Sequence, residues 1–174
     1  MKKLFLTGAL ALFATVTAQQ TKFGANAGLL AGFAKGKTPE FTETSSSTGF
    51  YAGFFAEFSA GEKVKIQPAV NYANIDDASA IQIPVMVKYY VDPKFNLQVG
   101  PQFLFDLSET PDGYDTYFNK TNIALALGAA YDFTPKFFAE ARYSFQLNNH
   151  LKNAPSGYSI RANYLNVGVG YRFN

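Results

Sequence analysis

The sequence predicts an all-β chain: an eight-stranded antiparallel up-and-down transmembrane β-barrel. Three observations predict it. Apolar and polar residues alternate with period two through eight successive segments, the mark of strands with two unlike faces. The connections between those segments alternate between tight and long, as they do in barrels that cross a membrane. Aromatic residues make up 17% of the chain and charged residues only 16%, a balance unlike that of a soluble domain. Beyond the N-terminus no stretch approaches the roughly 18 apolar residues that mark a membrane helix. A chain of this kind crosses a membrane as a closed sheet, because only helices and closed barrels satisfy their backbone groups in lipid.

The N-terminus reads as an export signal. Lys2 and Lys3 form a positive start, Leu4 to Val16 is an almost unbroken apolar run, and Val16-Thr17-Ala18 is a small-x-small cleavage pattern. The expected division is therefore a signal peptide over 1–18, cleaved after Ala18, and a barrel domain over 19–174. The apolar run is shorter than the about 20 residues of a spanning helix. There is no cysteine, which excludes a cysteine-linked lipid anchor, a disulfide framework and thiolate metal sites. Without Lys2 and Lys3, the 15 basic residues fall to 13 and equal the 13 acidic ones. A neutral chain has no basic footprint for nucleic acid.

The eight segments follow in order. Segment 22–33 puts Phe23, Ala25, Ala27, Leu29, Ala31 and Phe33 on one face and Gly24, Asn26, Gly28, Leu30 and Gly32 on the other. Segment 49–60 sets Phe50, Ala52, Phe54, Ala56 and Phe58 against Tyr51, Gly53, Phe55, Glu57 and Ser59. Segments 63–74 and 79–91 set Val64, Ile66, Val70 and Tyr72, then Ile81 to Val91 at every second position, against Lys65, Gln67, Asn71, Gln82, Met86, Lys88 and Tyr90. Segments 95–107 and 121–133 repeat the pattern, with Leu97, Val99, Ile123, Leu125 and Leu127 opposed to Asn96, Gln98, Gln102, Asn122 and Gly128. Segments 137–147 and 160–173 set Phe137, Tyr143, Phe145, Leu165, Val167 and Val169 against Glu140, Arg142, Ser144, Gln146, Asn166 and Arg172. Each is long enough to cross a bilayer as a tilted strand of about 9–11 residues.

Tight turns are expected at 61–62, 92–94 and 134–136, a modest loop at 75–78, and long loops at 34–48, 108–120 and 148–159. With an even strand number both termini share the periplasmic side and the long loops face outward. Alternation alone also fits a soluble lipocalin-like barrel with its apolar face inward. Lipid outside is favoured because the polar face is mostly small residues and amides. Aromatics recur near strand ends (Phe23, Phe33, Tyr72, Tyr89, Phe95, Phe137, Tyr171), and no charge lies on the central apolar face.

Particular motifs carry a resemblance over essentially the whole of 19–174. IQIPVMVKYY at 81–90, GPQF at 100–103, LALGAAYDF at 125–133, FAEARYSF at 138–145 and LNVGVGYRF at 165–173 are similar to the PorT-like outer-membrane β-barrel family. That resemblance implies a small barrel of the OmpA/OmpX kind in the cell outer membrane. The final strand also resembles the signal read by the barrel-assembly machinery during biogenesis: polar Asn166, Gly168, then aromatic Tyr171 and Phe173. Asn174 follows the usual terminal aromatic and departs from that pattern.

Strand direction places Glu57, Lys65, Lys88, Asp132, Glu140, Arg142 and Arg172 in the periplasmic half of the lumen. Charges confined to a narrow interior must pair, so this set reads as a structural salt-bridge network. Asn26, Tyr51, Asn71, Gln82, Gln102, Asp106, Asn122 and Gln146 line the outer half, as a hydrated mouth or a shallow polar pocket. An eight-stranded barrel holds side chains or one small ligand and is not a wide pore.

Chemistry-bearing motifs are few. His150 is the single histidine and reads as a solvated loop residue, with Asp106 and Ser108 at the same rim. One histidine does not make a histidine-rich zinc site. Asp112-Gly113-Tyr114-Asp115 with Glu109 lacks the EF-hand ligand pattern and reads as a turn. No phosphate loop, nucleophile elbow or dinucleotide fingerprint occurs. The expectation is a protein with no cofactor, no metal and no enzymatic activity. Specificity then rests with the loops, with Tyr114, Tyr117, Phe118 and Tyr158 as binding anchors. Two roles fit: a surface protein whose outer loops hold a partner or ligand, or an accessory subunit of an outer-membrane secretion or assembly machinery with an envelope protein partner.

Overall fold

A computed structural model describes residues 21–108, 118–152 and 154–174. The residues form one closed antiparallel barrel of eight strands in sequential order. The strands are β1 (Lys22–Lys37), β2 (Thr42–Ser59), β3 (Val64–Ile75), β4 (Ala78–Tyr90), β5 (Phe95–Asp106), β6 (Thr121–Asp132), β7 (Phe137–Gln146) and β8 (Ser159–Arg172). Each strand pairs with its sequence neighbour, and β1 closes on β8 from Gly24↔Arg172 to Lys37↔Ser159. The expected all-β barrel is borne out, with strand limits close to those read from alternation for six of the eight segments. The signal-peptide expectation over 1–18 lies outside the described residues, as do Glu109, Asp112, Tyr114 and Tyr117.

The pleat decides the faces. Leu29 is 73% exposed and its neighbour Leu30 only 2%; Phe54 is 69% exposed and Phe55 only 3%. The apolar face of every strand is turned outward, while Asn26, Gln67, Asn71, Gln82, Asn96, Gln102 and Asn166 are buried inside. A continuous exposed apolar belt around a polar interior is the reverse of a soluble barrel, and lipid is the solvent that fits it. Phe133 packs between Tyr131 and Phe137 at the periplasmic end, with ring centroids 5.3 and 5.8 Å apart, and Tyr171 meets Phe173 at 6.2 Å. These rings form an interfacial girdle.

Two expected outer loops are corrected. The stretch 34–48 is not a long loop: β1 and β2 stay paired out to Lys37↔Thr42, leaving Thr38–Phe41 as the tip. Ser and Thr composition suggested a loop, but both sides of this hairpin are solvated, so no apolar alternation marks it. Thr still suits a strand, and here Thr44 and Thr42 pair with Lys35 and Lys37 across the ladder. The connection 75–78 contracts to the two-residue turn Asp76-Asp77, with Asp76 at φ 49°. Aspartate tolerates that left-handed backbone in a tight hairpin.

Three prolines interrupt the ladder in adjacent strands. Register skips between Phe55↔Ala69 and Phe58↔Ile66, between Pro68↔Val85 and Asn71↔Gln82, and between Pro84↔Gln102 and Val87↔Val99. Pro68, Pro84 and Pro101 each lack the N–H that would face the preceding strand. The gaps line up as one diagonal seam across β2 to β5.

The C-terminal departure has a structural counterpart. The Asn174 side chain accepts from Phe23 N at 2.9 Å and donates to Thr21 O at 3.0 Å. With Phe173 N donating to Phe23 O, it extends the closing seam past the end of β8.

Candidate functional site

The lumen is built in layers, beginning with one carboxylate. Glu57, on the inward face of β2, is 2% exposed and meets three cations. Arg172 from β8 donates through Nε to Oε1 and through Nη2 to Oε2, both at 3.1 Å. Lys65 from β3 reaches Oε1 at 3.1 Å and Lys88 from β4 reaches Oε2 at 3.4 Å. Arg172 also donates to Asp132 Oδ1 at 3.1 Å, and the Tyr90 hydroxyl donates to Asp132 Oδ2 at 2.9 Å. Five charged residues from five strands thus share one cluster. A two-pronged arginine–carboxylate contact is among the stronger polar contacts available to side chains.

Phe138 roofs this cluster and was not singled out from the sequence. Lys88 Nζ and Arg172 Cζ each lie 4.6 Å from its ring centroid, an arrangement in which the ring face attracts both cations. Phe55 meets Phe138 edge-on at 5.6 Å. Glycines make room for the two rings: a Cβ on Gly24 would lie 2.3 Å from Phe55 Cζ, and one on Gly170 would lie 2.1 Å from Phe138 Cζ. The missed signal was phenylalanine on the polar face opposite glycine on the neighbouring strand.

The remaining two lumen charges form a pair of their own beside the Glu57 cluster. Arg142 and Glu140, two residues apart on β7 and fully buried, face each other at 3.6 Å. Elsewhere in the lumen Gln67, Asn71 and Asn96 present amides with no hydrogen-bond partner among the described residues. Buried amides in that position are satisfied by water in protein interiors.

At the outer end the inward residues become mixed. A cavity of about 100 Å³ is lined by Leu30, Ile75, Gln82, Leu104, Asp106, Asn122, His150 and Tyr164, among others. The sequence had pointed to Gln82, Asp106 and Asn122 here, but not to the apolar residues. The loop after β7 is folded onto this mouth by amides. Asn149 Oδ1 accepts from Leu151 N at 3.1 Å and Ile160 N at 2.9 Å. Asn122 Oδ1 accepts from Gln146 Nε2 at 2.8 Å and Asn148 Nδ2 at 3.2 Å. That orients Asn122 Nδ2 toward His150 Nδ1, 3.1 Å away.

His150 is therefore held, not solvated. Its backbone bridges Ile160 and Asn119, and its ring lies 5.7 Å from Phe118. Burial pulls its pKa below the ordinary 6.5, with Asp106 acting in the opposite sense. Asp106 Oδ1 accepts from Ser108 N at 2.9 Å, and Ser108 Oγ accepts from Ser79 N at 3.2 Å. Neither is a hydrogen-bond partner of the imidazole, so the rim histidine, acid and serine form no catalytic relay here. Of the loop aromatics, Phe118 bridges to Leu151 and packs on His150, whereas Tyr158 is exposed.

Of the last-strand residues, Asn166 is buried and donates to Gln82 Oε1 at 3.1 Å. A Cβ on Gly168 would lie 2.5 Å from the Tyr51 hydroxyl. Tyr171 and Phe173 lie on the exposed outer wall.

Comparison with known proteins agrees with this architecture. Neisserial surface protein A is similar in structure, with a TM-score of 0.53 at 18% identity, covering 89% of this chain and 100% of that one. Ail, the attachment invasion locus protein of Yersinia pestis, solved in complex with the heparin analogue sucrose octasulfate, also has a TM-score of 0.53. Its identity is 11%, covering 88% of this chain and 99% of that one. These likenesses show the fold. No curated protein sequence matches the chain. Residues 4–173 match the family described as the outer membrane protein beta-barrel domain. The chain belongs to that family and is a transmembrane β-barrel of the cell outer membrane.

Proposed function

We infer that the protein is a non-enzymatic surface barrel whose outer face binds a partner or ligand, exported by a signal peptide cleaved after Ala18. The observation that carries this reading is the length of the strands. A tilted strand spans the bilayer in about 9–11 residues, whereas β1, β2 and β8 have 16, 18 and 14. The excess is at the outer end, where the β1–β2 hairpin stands beside β8 and the amide-braced loop. The Glu57 cluster and Phe138 occupy the other end of the lumen, which supports a structural seal there in place of a solute path.

The experiment is a cross-linking pull-down from outer membranes with two variants. In one, residues 109–117 are replaced by a short Gly-Asn turn; in the other, Thr134-Pro135-Lys136 is replaced. Loss of the cross-linked partner in the first variant alone is the expected result. Loss only in the second would replace this reading with that of a PorT-like accessory subunit working through its periplasmic turns.

A further inference from the structure

We propose that the outer mouth of the barrel is a binding site for a short aliphatic primary amine, free or as the end of a lysine side chain. This rests on the reading of the outer face as the binding face and names what its cavity takes.

The walls set the shape. Leu30, Ala73, Ile75, Leu104 and the Tyr164 ring make an apolar sleeve. An apolar cavity of about 150 Å³ holds benzene, six heavy atoms. A volume of about 100 Å³ on that scale takes about four or five. That is the size of propylammonium, or of a lysine side chain from Cγ to Nζ.

The charge sets the head group. Among the described residues Asp106 is the one carboxylate on the lining, and no lysine or arginine lines the cavity with it. One oxygen of Asp106 accepts from Ser108 N at 2.9 Å, and the carboxylate stands on the cavity lining. His150 adds no positive charge. Asn122 is oriented by Gln146 and Asn148 so that its N–H donates to His150 Nδ1, which leaves the ring proton on Nε2 and the imidazole neutral. A lone carboxylate above an apolar sleeve repels anions. It also offers too few oxygens for a calcium or magnesium ion, which takes six or more. An alkylammonium matches both halves: its stem displaces water from the sleeve and its head makes a charge-assisted hydrogen bond to Asp106.

The test is amide NMR on the purified barrel in lipid nanodiscs at neutral pH, titrated with n-butylamine. Butan-1-ol and butyrate serve as neutral and anionic controls, and Nα-acetyl-lysine amide presents the same head on a peptide unit. The expected result is saturable shifts at Gln82, Leu104 and Tyr164 with butylammonium, absent with butyrate. Asp106→Asn weakens them about tenfold or more. Ala73→Leu, which fills the sleeve, abolishes them while heat-modifiable gel mobility reports an intact barrel. If acetyl-lysine amide binds as well as butylamine, a polypeptide lysine is the source; if only butylamine binds, the source is a free amine. Equal binding of butanol and butylammonium, no saturable shift, or binding unchanged in both variants would overturn the proposal. Because the readout needs no cellular partner, such a failure leaves the pull-down reading of the outer face standing.

Discussion

At Glu57, one buried carboxylate answers two cations that have almost no access to water, Lys88 and Arg172. Removing it strands Lys88 and leaves Arg172 with Asp132 alone, and breaking a buried pair costs about 3–5 kcal/mol. Glu57→Gln should therefore lower unfolding stability in lipid vesicles by about that much, read by urea titration. Lys65→Gln should cost about 1 kcal/mol or less, because Lys65 is a quarter exposed and its loss leaves Glu57 paired. His150 gives a second prediction at this scale. Its neutral form is favoured in the fold, so acid works against the rim. Nothing changes above the ordinary pKa of 6.5, and stability of the loop falls as pH drops below it. Among the described residues the groups facing it are Asp106, Asn122 and Phe118, and of these Asp106 alone opposes the shift by charge. The imidazole NMR titration should have its midpoint below 6.5, and Asp106→Asn should lower it further; a midpoint above 6.5 would contradict this.

At the scale of elements, neighbouring strands fit by size. Gly24 and Gly170 clear the space that Phe55 and Phe138 fill. Gly170→Ala should cost about 1–3 kcal/mol through overpacking, and Phe138→Leu in the same chain should recover part of that loss, checked by the same urea titration. The elements also show where the sequence was legible. Strands β3 to β8 are readable because lipid lies on one side and polar lumen on the other, so the pleat is written as alternation. The outer halves of β1 and β2 pass through water on both sides, and the alternation stops with the lipid. His150 read as solvated because its partners are far along the chain: Asn119 precedes β6 and Asn122 is the second residue of that strand. The Glu57 cluster was legible as a set of inward charges, but which carboxylate is the hub was not. That depends on how β2, β3, β4 and β8 bring their ends around the barrel.

At the scale of the whole molecule the pattern is inverted: apolar wall outside, polar and charged filling inside. The wall has a definite cost for error. Leu127, near the middle of β6 and 45% exposed, should tolerate Phe or Ile, whereas Leu127→Arg should cost about 2–4 kcal/mol in a bilayer. An equal effect of Phe and Arg on vesicle unfolding would argue that this face does not meet lipid. The same inversion explains why catalytic motifs are sparse. Among the described residues the lumen's four cations and three carboxylates are tied up in ion pairs with one another.

The measurement that tests this architecture most directly uses the absence of cysteine from the chain. Single cysteines are introduced as Glu40→Cys, at the tip of the β1–β2 hairpin, and Glu62→Cys, in the turn between β2 and β3. A bulky membrane-impermeant maleimide is then applied to intact cells. The account predicts labelling of Glu40→Cys in intact cells, and of Glu62→Cys only after the outer membrane is permeabilised. Labelling of Glu62→Cys alone, or of both with equal speed in intact cells, would contradict it.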